Sequence, residues 1–287
     1  MLSSLLPKEL WEALHNKNLN SLQELRIRVN APVVACINNK YIQMPITATN
    51  SIIQQILLNA SNHSLYTVND QIISGYITIK GGIRIGVAGE VVADGVSIKT
   101  IKNISSLNIR VPHQVSNCCL AVLDKLKIED SIYSTLIVAP PAAGKTTMLR
   151  DLALKISGEV LQLNTLIIDE RYELASFYNG TPQLKVGEFC DVLSGAKKSF
   201  GFTNAIRSMR PDVVITDELG GREDFDACEN AISCGVSVVA SIHAGSLEEL
   251  TSKSYFKKVF SRYVLLSNKQ GAGTIEGVFD KCLKPLY

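Results

Sequence analysis

Residues 139–147, Ala-Pro-Pro-Ala-Ala-Gly-Lys-Thr-Thr, gather the residue types that hold a polyphosphate. Such a site needs successive backbone N–H groups turned inward, the N-terminus of a helix behind them, a lysine for the outer phosphates and a hydroxyl for magnesium. Gly144, Lys145 and Thr146 supply the second half of that pattern, followed by Thr147. Ala139, Pro140, Pro141, Ala142 and Ala143 complete the candidate nucleotide-binding stretch. The loop departs from the usual pattern at Ala139, where a glycine is expected, and at Ala142, a position that is often glycine. Alanine disfavours positive φ, so the departure matters only where the backbone must turn left-handed.

Carboxylates close two apolar segments further on. DVVITDE ends in Asp217 and Glu218. The first is placed to hold magnesium beside Thr146, and the second to orient or deprotonate an attacking water. TLIIDERYE ends in Asp169 and Glu170. Either pair could be the magnesium pair; Asp217–Glu218 is preferred, with Asp169–Glu170 in support. SVVASIH ends in His243, which could sense the γ-phosphate, hydrogen-bond an acidic neighbour, or be a satisfied structural histidine. Arg207 and Arg210, in AIRSMRPD, are read as phosphate ligands, arginines offered to a neighbouring subunit, or solvated charges. His15, His63 and His113 show no ligand spacing.

The elements that must position these groups follow from the pattern of apolar residues. TLIVA, TLIID, DVVIT and SVVASI are short apolar runs alternating with helical stretches, as parallel strands covered on both faces require. This predicts an α/β domain over residues 116–287, entered through a helix in CCLAVLDKLKI. Residues 1–115 read as a smaller α+β domain: a helix near Pro7, β-branched runs over 22–46 with a turn at Asn38–Asn39, and a helix over 50–60. A hairpin follows around Gly81–Gly82, with a turn at Asp94–Gly95.

Composition narrows the functions. With 46% apolar and 20% charged residues the 287-residue chain is globular, and a net charge of +2 makes no global case for nucleic acid or anionic membrane. Seven cysteines without a C-x-x-C pair suit reduced thiols in the cytoplasm. Neither a secretory signal nor an apolar run long enough to cross a bilayer is read, so a soluble protein without membrane insertion is expected.

The blocks APPAAGKTT, LIIDERYELA, AIRSMRPDVVITDELGGRED and ISCGVSVVASIHAGS, in this order, resemble the secretion and pilus-retraction ATPase superfamily. The resemblance makes them a Walker A loop, an Asp box, a Walker B strand and a His box. It implies a RecA-like P-loop ATPase domain using ATP and Mg²⁺, with catalytic roles for Lys145, Glu218 and His243 and a metal role for Thr146 and Asp217. The N-terminal pieces ELRIRVNAPV, GGIRIGVAGEVV and IKNISSLNIRVP, with ERYELA, are similar to the stage III sporulation protein AA family of endospore-forming bacteria. That likeness implies a homo-oligomer, expected as a hexameric ring. It also implies membrane-protein partners in a channel complex and a place on the mother-cell side of the forespore membrane. A nucleic-acid-linked ATPase is the alternative, because related proteins carry a single-strand-binding domain. The chain shows no such domain and no basic–aromatic interleaving along its length, so nucleic acid is not expected as a partner. A third reading is an ATP-binding scaffold with little hydrolysis.

Overall fold

Alternation decides the first sheet. The computed structural model describes residues 2–15, 17–62, 64, 68–73, 75–95 and 97–286, and His63 lies outside them. The chain divides into two units, Met1–His113 and Gln114–Tyr287. In the first, strands β1 (Leu22–Arg28), β2 (Pro32–Ile37), β3 (Lys40–Thr47), β4 (Tyr76–Ile79), β5 (Ile83–Asp94) and β6 (Ser97–Arg110) form an antiparallel sheet in the order β3-β2-β1-β6-β5-β4. Asn38 and Asn39, both at positive φ, turn β2 into β3. Ile85, Ile109, Leu25 and Ala35 lie opposite one another across four strands and are fully buried. They share one core with Leu10 and Leu14 of α2 (Lys8–Leu14) and with Ile53 and Ile56 of α3 (Asn50–Ala60). Two short helices complete the unit, α1 (Leu2–Leu5) and α4 (Asn69–Ile73). Pro7 stands just before α2 as its N-cap rather than inside the first turn.

The alternate residues form the sheet's other face. Arg84, Arg110 and Glu24 lie in one cross-strand row, with Asn108 and Arg26 in the next. Arg84 stacks over Tyr76 at 4.2 Å and Arg26 over Tyr41 at 5.9 Å. Basic–aromatic interleaving, invisible along the sequence, is thus produced in space by strand register.

The second unit is built differently. Strands β9 (Thr135–Ala139), β10 (Thr165–Asp169), β11 (Cys190–Ser194), β12 (Val213–Thr216), β13 (Ser237–His243), β14 (Arg262–Ser267) and β15 (Thr274–Asp280) stand in the order β11-β10-β12-β13-β9-β14-β15. All neighbours are parallel except β14–β15. Every residue of β9, β10 and β12 is buried, because helices cover both faces. Ile137, Ile167 and Ile215 face a core shared with Val122 and Leu123 of α5 (Leu120–Leu126) and Met148 and Leu152 of α6 (Lys145–Leu154). Val138, Ile168 and Val214 face the opposite core, with Phe202 of α7 (Lys198–Asn204) and Phe225 of α8 (Arg222–Ser233). A two-stranded ribbon, β7 (Lys127–Ile128) and β8 (Ser131–Ile132), leads into β9, and α9 (Leu247–Ser252) follows β13.

All seven cysteines are free thiols. Among the described residues, no helix is long and apolar enough to cross a membrane.

Candidate active site

The parallel sheet gathers the strand ends that carry chemistry. Strand β13 lies between β9 and β12, with His243 opposite Ala139 and Ala240 opposite Thr216. The P-loop, His243 and the Asp217–Glu218 pair therefore share the carboxyl edge, where open α/β sheets bind ligands.

The loop after β9 turns into α6 through Gly144, its N-cap, at φ 86°. A Cβ there would stand 3.1 Å from the backbone nitrogen of Gly273, so glycine is required twice over. Of the two alanines, Ala139 ends a regular strand and is fully buried, with no positive φ. Ala142 is the residue in the left-handed region, at φ 59°. The penalty of the departure falls on Ala142 alone. The β14–β15 connection steadies the loop: Asn268 donates to the Pro141 carbonyl at 3.2 Å and the Gly273 N–H to that of Ala143 at 3.1 Å. The first turn of α6, Lys145 to Thr147, offers N–H groups that have no acceptor within the helix.

Lys145 is buried, and its ammonium spends its three protons inside the protein. It donates to the carbonyls of Ala139 (3.2 Å) and Pro140 (3.0 Å) and to His243 Nδ1 (2.9 Å). Burial pushes its pKa down, while Asp217 and Glu218 pull it back up. Because Nδ1 accepts, the imidazole proton sits on Nε2, which lies 3.4 Å from Glu218 Oε1. Thr146 Oγ1 donates to Asp217 Oδ2 at 2.6 Å, and Ser241 Oγ donates to the other carboxylate oxygen. Ser241 also accepts from the Glu218 N–H at 3.0 Å, and its carbonyl accepts from the Leu219 N–H at 2.7 Å. These bonds hold Glu218 at φ 45°, a conformation that costs about 1 kcal/mol or more for a residue with a side chain.

Comparisons with known proteins place the chain. The family model described as sporulation stage III, protein AA matches residues 1–284. Stage III sporulation protein AA of Bacillus subtilis (strain 168) is 38% identical over 268 residues, covering 91% of this chain and 87% of that protein. The chain belongs to the sporulation stage III protein AA family. A protein of Porphyra purpurea, ycf45, is 26% identical over 64% of this chain and 33% of its own length. Among solved structures, the Legionella pneumophila ATPase DotB aligns with TM-score 0.57 at 12% identity, over 90% of this chain and 75% of DotB. The pilus retraction motor PilT with bound ADP aligns with TM-score 0.58 at 13% identity, over 90% of this chain and 76% of PilT. This member of the family thus has the RecA-like α/β fold with an N-terminal domain that these ATPases share.

The second acidic pair is built otherwise in this family member. Asp169 is buried, and its carboxylate accepts the N–H groups of Glu173 (2.7 Å), Leu174 (3.1 Å) and Ala175 (2.9 Å). Burial raises its pKa against the pull of those bonds. Glu170 pairs with Lys198 of α7 at 2.6 Å. Both carboxylates are occupied in shaping the loop after β10, which Arg150 braces from α6 by donating to the carbonyls of Glu173 and Leu174 at 2.7 Å each. Arg207 and Arg210 are exposed and precede the amino end of β12, at the edge opposite the P-loop. The fold does not bring them to their own chain's Lys145.

Two residues of the site had not been singled out in the sequence, Ser241 and Arg171. Ser241 had a signal: a polar residue inside an apolar strand, two before His243 and so on the same face. Arg171 reaches Glu218 Oε2 with Nη1 at 2.5 Å across 47 positions, which no local pattern announces.

The donor set facing the P-loop helix suits magnesium. Thr146 and Asp217 offer only oxygen, as a hard cation requires. Among the described residues no group of three or more His, Cys, Asp or Glu side chains forms a metal cage. The remaining ligands would come from phosphate oxygens and water.

Proposed function

We propose that this chain hydrolyses ATP at the edge formed by Lys145, Thr146, Asp217, Glu218 and His243. The observation that carries the reading is the 2.6 Å contact of Thr146 Oγ1 with Asp217 Oδ2, since it joins the P-loop hydroxyl to the acidic strand end 71 residues away. Lys145 holds the outer phosphates once its bond to His243 is exchanged for a phosphate oxygen. Glu218 takes the proton of the attacking water. The water oxygen bonds to the γ-phosphorus, and the bridging P–O bond breaks with its electron pair leaving on ADP. Thr146 and Asp217 would hold Mg²⁺, which neutralises phosphate charge. Ala142 adds strain to the loop of about 1 kcal/mol, too little to prevent it from closing on a ligand.

The test is phosphate release by purified protein. Lys145→Ala should remove turnover by at least about a hundredfold and weaken ATP binding, with the fold intact. Turnover at the wild-type rate in that variant would overturn the assignment, and ATP binding without turnover in the wild type would favour the scaffold reading.

The same reading extends to assembly. The chain works as a homo-oligomeric ring, expected as a hexamer, energising or assembling a membrane channel during endospore formation, and is held at the membrane by protein partners. The N-terminal unit is the docking surface for such a partner, because the carboxyl edge of the second unit is committed to nucleotide. Fractionation of cells with and without the channel proteins tests this; association that survives loss of every partner would overturn it.

A further inference from the structure

Phosphoryl transfer benefits from a guanidinium that meets the charge developing on the γ-phosphoryl, and the arginines of the second unit can be sorted for that role. There are six: Arg150, Arg171, Arg207, Arg210, Arg222 and Arg262. Arg150 is buried and tied to two backbone carbonyls. Arg262 donates to the Lys125 carbonyl at 3.0 Å and stacks on Tyr133 at 3.7 Å, at the start of β14. Arg207 and Arg210 sit before β12, at the far edge of the sheet. Arg222 opens α8 and acts on Asp226, one turn along the same helix. Arg171 alone of the six touches the candidate catalytic groups, through its 2.5 Å contact with Glu218.

That contact is built to be exchanged. The Arg171 side chain is 62% exposed, and an ion pair so open to water is weakly held. A triphosphate brings several negative charges to the same edge, and a guanidinium fork matches phosphate oxygens as well as it matches a carboxylate. Meanwhile Glu218, pinned between Arg171 on Oε2 and His243 on Oε1, is poorly placed to accept a proton. His243, the other partner of Glu218, is itself bonded through Nδ1 to Lys145, so both partners of Glu218 connect to groups that a triphosphate would engage.

We propose that Arg171 is a catalytic arginine acting within its own subunit: it leaves Glu218 for the γ-phosphoryl group when ATP binds, and in doing so frees the base. The inference rests on the reading of this edge as an ATP site.

The experiment compares wild type, Arg171→Ala and Arg171→Lys by calorimetric titration with MgADP, alone and with aluminium fluoride as mimic of the phosphoryl group in transfer. Turnover and thermal unfolding are measured alongside. Arg171→Ala should bind MgADP within about threefold of wild type and unfold at the same temperature, yet lose at least about thirtyfold of the tightening that aluminium fluoride gives and at least about a hundredfold in kcat. Arg171→Lys should recover little, because an ammonium lacks the planar fork. Mixtures of Arg171→Ala with Glu218→Gln subunits should stay inactive, since neither subunit then holds a complete site.

The proposal is overturned by an Arg171→Ala protein that keeps the aluminium-fluoride tightening, by one whose turnover rises, or by one that loses MgADP binding and thermal stability together. Restored activity in the mixtures would also overturn it, by making the arginine a gift to the neighbouring subunit. A wild type that binds no MgADP would instead sink the ATP-site reading, and this inference with it.

Discussion

Asp169–Glu170 and Asp217–Glu218 are the same dipeptide at the carboxyl ends of two neighbouring parallel strands, and the fold uses them in opposite ways. After β10 the chain curls back, so the Asp169 carboxylate fills with the N–H groups of Glu173, Leu174 and Ala175. After β12 the chain is held open by Ser241 of the next strand, and among the described residues the Asp217 carboxylate is hydrogen-bonded to hydroxyls, those of Thr146 and Ser241. A carboxylate whose lone pairs accept backbone N–H groups is a structural cap. One that faces exchangeable hydroxyls beside a P-loop lysine can take a metal. The lesson is that an acidic strand end is assigned by what the next few residues do with it.

Substitutions can break this comparison. The largest expected effect is on turnover: Glu218→Gln should lower kcat on the order of 10²–10⁴-fold while ATP still binds. Glu170→Gln should change it by less than about threefold, since that carboxylate is turned to the buried ammonium of Lys198 and not to Lys145 or Thr146. Steady-state phosphate release checks both, and equal losses would erase the distinction. Next, Asp169→Ala should destabilise the fold by about 3 kcal/mol or more, because it leaves buried N–H groups without an acceptor. Asp217→Ala should leave stability nearly unchanged and remove the magnesium dependence of nucleotide binding. Denaturant titration and calorimetry with and without Mg²⁺ read the two.

The pH dependence of stability sharpens the same contrast. Burial raises the Asp169 pKa above its ordinary value of 3.8, so between the two values the folded chain binds the proton more readily than the unfolded one. Its contribution to stability therefore falls as pH rises through that window, and Asp169→Asn should abolish this slope. Unfolding measured at closely spaced acidic pH values would show it. The smallest effect is in the loop. Ala142→Gly should relieve the left-handed strain and stabilise by at most about 1 kcal/mol, part of it offset by the freer unfolded chain. Ala139→Gly should destabilise by about as much, because it removes a buried methyl from a strand. If thermal unfolding ranks the two the other way, the assignment of the strain to Ala142 is wrong.

Much of the candidate site was legible from local order. Gly144-Lys145-Thr146 between an apolar strand and a helix announces a phosphate loop, because the N–H cradle, the lysine and the hydroxyl all come from one short stretch of chain. The strands β9, β10, β12 and β13 were equally plain, since residues buried on both faces form a nearly continuous apolar run. The strands β11, β14 and β15 were not. They lie at or towards the edges of the sheet and are only partly buried; β11 and β15 lack such a run, and in β14 it shrinks to Tyr263–Leu266 between polar residues.

Sequence alone therefore determined which residues could bind phosphate and metal, and that two acidic pairs competed for one role. Tertiary structure gave the two pairs different surroundings. Strand order inserted β13 between β9 and β12, carrying Ser241 and His243 to Asp217, Glu218 and Lys145. It also gave Arg171 to Glu218 and sent Arg207 and Arg210 to the far edge. The physical reason is reach: a local pattern fixes what a few neighbouring residues can do, whereas hydrogen bonds act only within about 3.5 Å. Partners such as Lys145 and His243 stand 98 positions apart, so only the folded chain can assign them.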